Sequence, residues 1–209
     1  MNCKYTITIS RQFGSGGKEI GKALADKLNI AFYDKELISL AAKESGVDPK
    51  IFENVDERAT NSLLYSLSVG LYSFGNGFSS MGDLPVNDRL YMIQHKLIKK
   101  LANERPCLFV GRCADYVLKD NPHCINIFLY ADLEYRIKRT IERNAVDPNR
   151  AEQAVNKADK TRANYYSFYS GRKWGAPENY HLCLNTGTLS TEQCVEIIEN
   201  YIGTLSKGK

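Results

Sequence analysis

Residues 7–21 read Ile-Thr-Ile-Ser-Arg-Gln-Phe-Gly-Ser-Gly-Gly-Lys-Glu-Ile-Gly: an alternating apolar run, a glycine-rich turn and the start of an amphipathic helix. A strand that feeds a helix through such a turn constrains the fold more than any other feature of the chain. Glycines let successive backbone N–H groups bend toward one point, and the helix N-terminus adds positive partial charge there. Polyphosphate fits that geometry. Gly14, Ser15, Gly16, Gly17, Lys18 and Glu19 are therefore the candidate cradle, with Lys18 placed to reach the outer oxygens.

Against the phosphate-loop pattern G-x-x-x-x-G-K-[ST], Gly17 and Lys18 match, while Gln12 stands for the first glycine and Glu19 for the hydroxyl residue. That hydroxyl is the usual magnesium ligand. A carboxylate in its place either binds the metal directly or repels phosphate.

The rest of the chain alternates. Strand patterns at Tyr5–Ile9, Ala31–Tyr33, Cys107–Val110, Cys124–Tyr130 and His181–Asn185 are separated by helical patterns at 18–29, 35–45, 86–104, 113–119, 132–144, 149–170 and 190–205. Such alternation predicts a parallel sheet covered by helices on both faces. Residues 46–85 and 145–180 interrupt it as two insertions. From Asn61 to Pro85 the sole charged residue is Asp83, among leucines at helical spacing, aromatics and glycines. Apolar surface of that kind fits a homodimer interface or a mobile cover over a ligand pocket.

The 209 residues carry 28 Lys and Arg against 24 Asp and Glu, a net +4 that is too weak to imply nucleic acid. The charge is unevenly placed. Residues 136–173 hold ten cations and four acids, so this segment is +6 and the remainder −2. Within 132–144, Leu133, Ile137 and Ile141 predict the buried stripe, and Arg136, Arg139 and Arg143 share another face. Guanidinium forks suit phosphate oxygens. The excess thus argues for a small polyanionic ligand.

The six cysteines form no C-x-x-C pair and no zinc-spaced cluster, and the three histidines lack metal spacing. With no apolar stretch suited to a spanning helix or a signal peptide, a reducing cytoplasm is the expected compartment. Two residues sit where open α/β sheets bind ligands, at the carboxyl ends of strands: Asp34 and Arg112. Asp34 suits orientation of an acceptor, magnesium through water, or a helix N-cap.

Taken in order, Ile9–Gly21, Phe32-Tyr33-Asp34-Lys35-Glu36-Leu37-Ile38, Val110-Gly111-Arg112-Cys113-Ala114-Asp115, Asp159-Lys160-Thr161-Arg162 and Tyr180–Thr186 resemble the cytidylate kinase-like proteins, a branch of the P-loop nucleoside monophosphate kinases. The resemblance runs through nearly the whole chain. It implies a single three-layer α/β/α P-loop kinase domain over 1–209, with a five-stranded parallel sheet, an acceptor-side helical insertion at 46–85 and a lid at 145–165. It also implies transfer of the ATP γ-phosphate, with Mg2+, to a nucleoside monophosphate such as CMP or dCMP. Lys18 looks like the phosphate-loop lysine, Asp34 like the acceptor-side acid, Arg112 like the arginine that meets the acceptor phosphate, and Asp159 with Arg162 like the Asp-x-x-Arg of the lid. Arg136 and Arg139 join them as candidate catalytic cations, and Glu19 and Asp34 are the metal candidates. Lys35-Glu36 departs from the family's Ser-Gly, and its next arginine is absent. Two other readings stay open: a catalytically weak nucleotide-binding regulator, and a kinase of a non-nucleotide small molecule.

Overall fold

The computed structural model describes residues 5–34, 86–144 and 146–207. The helical pattern at 35–45 and the insertion at 46–85 lie outside them. Five strands, β1 Thr6–Arg11, β2 Ala31–Tyr33, β3 Cys107–Val110, β4 Cys124–Tyr130 and β5 Leu182–Asn185, form one sheet in the order β2-β3-β1-β4-β5. Every pairing is parallel. The connecting helices are α1 Gly17–Leu28, α2 Val86–Glu104, α3 Ala114–Val117, α4 Leu133–Asn144, α5 Pro148–Ser170 and α6 Thr191–Lys207.

Strand β1 lies at the centre, so both of its faces are covered: Ile7 and Ile9 are fully buried toward one helical layer, and Thr6, Thr8 and Ser10 are buried as well. A polar residue survives there because it is bonded. Thr8 Oγ1 donates to Asn126 Oδ1 on β4 at 2.8 Å, and the two residues are register partners. On one face α1 and α6 close over Ile7, Ile9, Leu108, Ile127 and Leu129. On the other, Leu90, Leu97 and Ile98 of α2 meet Phe109 and Val117. Three layers result.

Strand β1 runs two residues beyond the predicted Ile9, because Ser10 and Arg11 continue the ladder onto Phe128 and Leu129. The helix expected at 113–119 shrinks to one turn. Gly111, Arg112 and Cys113 all have positive φ (76°, 62° and 54°), which delays its start. Asp147 caps α5 by accepting the Asn149 N–H at 2.9 Å, with Pro148 in the first turn. Residues 148–165 of the span expected as a lid therefore belong to one 23-residue helix.

Helix α4 buries a face next to the predicted one. Leu133, Ile137 and Ile141 are half-buried, whereas Arg136 and Thr140 are buried at 6% and 1% exposure. The reason lies in Gly14. A Cβ there would stand 2.6 Å from the Arg136 carbonyl and 2.9 Å from Thr140 Oγ1, so glycine lets α4 press directly on the loop.

Candidate phosphate-binding site

The loop Gln12–Gly17 is held from three sides. Gln12 N–H donates to the Leu129 carbonyl and Gln12 Oε1 accepts the Ala131 N–H at 3.1 Å, which gives the residue in the first-glycine position a structural role. Ser15 Oγ donates to the Gln12 carbonyl at 2.8 Å, and Thr186 Oγ1 donates to the Ser15 carbonyl at 2.9 Å. Ser15 is 1% exposed. Its hydroxyl serves the turn itself.

Asp159 and Arg136, both expected as catalytic, stand behind the loop. Asp159 accepts the Phe13 N–H at 2.7 Å and pairs with Arg136 Nη1 at 2.6 Å. Arg136 also donates to the Phe13 and Ala131 carbonyls. Together the two side chains hold both the N–H and the carbonyl of Phe13 in the loop.

In front of the loop lies a cleft of about 490 Å³, a size suited to a nucleotide-sized ligand. Six cations line it, Arg11, Lys18, Arg112, Arg139, Arg143 and Arg162, against two carboxylates, Glu19 and Asp34. Lys18 Nζ lies 3.4 Å from the buried Asp34 carboxylate while remaining well exposed. Arg139 lies across Gly16 and pairs with Glu19. Arg162 donates to the Arg11 carbonyl at 3.2 Å and stacks over Phe13, its guanidinium carbon 5.4 Å from the ring centre. Lys18, Glu19, Asp34, Arg112, Arg139 and Arg162 are thus brought together, together with Gly14, Gly16 and Gly17. Arg136, Asp159 and Ser15 are not among the lining residues.

The sequence reading passes over Arg11. Its signal was present, since an arginine ending the first strand sits where parallel sheets bind ligands. The aromatic side chains of α5 pack on α2: Tyr91 of α2 stacks on Tyr169 at 3.9 Å, and Tyr169 Oη donates to Asp88 Oδ1 at 2.9 Å. Burial pushes the Tyr91 and Tyr169 hydroxyls well above the usual phenol range. The described cysteines are free thiols, and burial raises Cys107 and Cys124 to about 12. They are inert packing groups. Among the described residues no group of three or more metal-ligating side chains occurs, and no helix is long and apolar enough to cross a membrane.

Asp115, one turn past Arg112, is 1% exposed, and Tyr166 Oη donates to its Oδ2 at 2.7 Å. Desolvation raises its carboxyl above the ordinary value, partly offset by that hydrogen bond and by Arg172. The folded state therefore binds the proton more tightly than the unfolded chain. Its contribution to stability is full below the unfolded pKa and is lost as pH rises through the raised folded value. Asp115→Asn is expected to flatten this dependence: the stability gap between variant and wild type should shift in favour of the variant as pH rises above the unfolded value of about 4. Urea midpoints of both proteins across that range would check it, and a constant gap would refute it.

The cytidylate kinase-like family matches residues 6–188. No curated protein matches the chain. Among solved structures, an uncharacterized protein from Eubacterium ventriosum is similar at 29% identity and a TM-score of 0.71, over 96% of this chain and 99% of that one. A shikimate kinase from Bacteroides thetaiotaomicron shares the fold at 15% identity and a TM-score of 0.56, over 95% and 98% of the two chains. A gluconokinase from Sinorhizobium meliloti does so at 11% and 0.58, over 100% and 97%. With the strand order, the phosphate loop and a match over most of its length, the chain belongs to the cytidylate kinase-like family and has a P-loop kinase fold.

Proposed function

We propose that the protein transfers the γ-phosphoryl group of ATP to a nucleoside monophosphate, with CMP and dCMP as the first acceptors to test. One observation carries this reading: six cations from β1, α1, the β3–α3 turn, α4 and α5 line a single cleft in front of a glycine-rich loop. Phosphoryl transfer asks a protein chiefly to align two oxygens and neutralise spreading charge. Lys18 and the loop N–H groups bind the donor phosphates. Arg112 holds the acceptor phosphate, and Arg139, Arg143 and Arg162 face the transferring group from the helices. Asp34 orients the acceptor.

The donor set fits magnesium held mainly by phosphate oxygens and water, with Asp34 and Glu19 the carboxylates within the cleft. When bound, the ion supplies charge neutralisation on the phosphates. Both carboxylates already carry a cation partner, Lys18 and Arg139. The Glu19–Arg139 pair, at the position where a hydroxyl usually serves the metal, favours a second reading as a nucleotide-binding regulator with weak turnover.

ADP release measured across nucleoside monophosphates and their deoxy forms, with gluconate and shikimate as non-nucleotide acceptors, separates these readings. Turnover with CMP or dCMP is expected, falling about 10²- to 10³-fold in Lys18→Ala and in Arg112→Ala. ATP binding in calorimetry with no turnover on any acceptor would favour the regulator. Turnover confined to a sugar or cyclohexene acceptor would overturn the nucleotide reading alone.

A further inference from the structure

Gly111, Arg112 and Cys113 hold three successive positive φ angles, 76°, 62° and 54°, and two of the three carry side chains. An L residue in the left-handed region costs backbone energy, so such a run persists only where its surroundings over-determine it. Part of that constraint is local. The Gly111 N–H donates to the Ile9 carbonyl of β1 at 2.9 Å, and the Ala114 N–H donates to the Gly111 carbonyl at 3.2 Å. Helix α3, into which the turn leads, is four residues long and adds little order of its own.

A further constraint comes from α5. Asp115 follows Arg112 by three residues, and its buried carboxylate accepts from the Tyr166 hydroxyl at 2.7 Å, with Tyr166 itself 3% exposed. A hydrogen bond between two such groups is costly to leave unmade, so it fixes where both elements stand. Tyr166 lies four residues after Arg162 on the same face of α5. With Arg112 and Arg162 it lines a chamber of about 20 Å³ beside the cleft. One bond therefore joins the turn that carries Arg112 to the stretch of helix that carries Arg162, although neither Tyr166 nor Asp115 lines the cleft itself.

We propose that Tyr166 is a positioning residue, which through Asp115 holds the left-handed turn 111–113 in the conformation that presents Arg112 to the cleft. This deepens the phosphoryl-transfer reading and rests on it, because the work proposed for Arg112 is to hold the acceptor phosphate. Helix α5 stays docked without the bond, since Tyr169 stacks on Tyr91 and Arg172 lies over Tyr116. Removal of the hydroxyl thus redirects Arg112 without displacing the helix.

The test uses Tyr166→Phe and Asp115→Asn in the full chain. Tyr166→Phe removes one oxygen and keeps the ring. In steady-state assays it is expected to raise the acceptor KM at least about tenfold while leaving the ATP KM within about threefold. Asp115→Asn keeps an oxygen that accepts from the Tyr166 hydroxyl, and both KM values should stay within about threefold of wild type. A second arm needs no turnover. The Ala114 and Val117 N–H groups bond to the Gly111 and Cys113 carbonyls, and their hydrogen exchange should quicken at least about tenfold in Tyr166→Phe. Exchange in β4 should stay within about threefold, which separates loosening of the turn from loss of the whole fold. An unchanged acceptor KM, a parallel rise in the ATP KM, equal losses in the two variants, or unchanged exchange at Ala114 and Val117 would each overturn the proposal. Faster exchange there, with no nucleoside monophosphate turned over by the wild type, would support the hold on the turn and count against the proposed function alone.

Discussion

Replacing Asp159 by alanine is expected to remove about 3–5 kcal/mol of stability, the loss typical of stripping one partner from a buried ion pair. Arg136 is 6% exposed and its guanidinium is committed to Asp159 and to two loop carbonyls. Without the carboxylate, a charge stays buried with carbonyl acceptors alone, and the Phe13 N–H loses its 2.7 Å acceptor. For a chain of this size the loss corresponds to a fall of roughly 10 °C in the thermal midpoint. Asp159→Asn retains an acceptor for Phe13 and should fall about midway. ATP affinity should drop with the loop's order even though Asp159 does not line the cleft. Alanine and wild type melting together would show that the pair contributes nothing.

Gly14→Ala is the second large effect, and it arises from crowding. At φ +81° an L side chain costs roughly 1–2 kcal/mol. Its Cβ would also meet the Arg136 carbonyl at 2.6 Å, and a helix backbone cannot rotate aside as a side chain can. Overpacking of that kind adds about 1–3 kcal/mol. Either α4 retreats from the loop, separating Arg139 from Glu19 and Gly16, or the loop is displaced. Both routes should weaken ATP binding by at least about tenfold, whereas Gly171→Ala, with φ +68° but open space around it, carries the conformational cost alone. Calorimetry of ATP with the two variants separates them. Equal ATP affinity in both would show that the approach of α4 does not matter to the loop.

These two sites also mark where sequence reasoning stops. Strand alternation, the glycine-rich turn and the strand-terminal Asp34 and Arg112 are legible because they depend on local pattern and on where parallel sheets present their ends. The roles of Arg136 and Asp159 were not, because residue type alone does not reveal which side of a loop a charge will occupy. Apolar spacing in α4 pointed to Leu133, Ile137 and Ile141. The buried face went instead to Arg136 and Thr140, since a glycine 122 residues earlier than Arg136 removed the side chain that would have kept the helix away. Arg11 was missed for a related reason. Its placement depends on the absence of side chains at Gly17 and Gly111, and that absence acquires meaning only when the strands are in place.

Helix α5 is joined to the first loop twice, through Asp159 to the Phe13 N–H and through Arg162 to the Arg11 carbonyl. These contacts are fixed to backbone, so they act as a fulcrum. Any swing of the helix that exposes the cleft has to turn on the N-terminal side of Asp159, within 148–158. Ala151 and Val155 in that stretch are fully buried, and α5 packs along α4. The moving body would therefore include the outer half of α4 and carry Arg143 with it, leaving Arg162 and Arg11 behind. Opening would divide the cations lining the cleft into a stationary set and a travelling one.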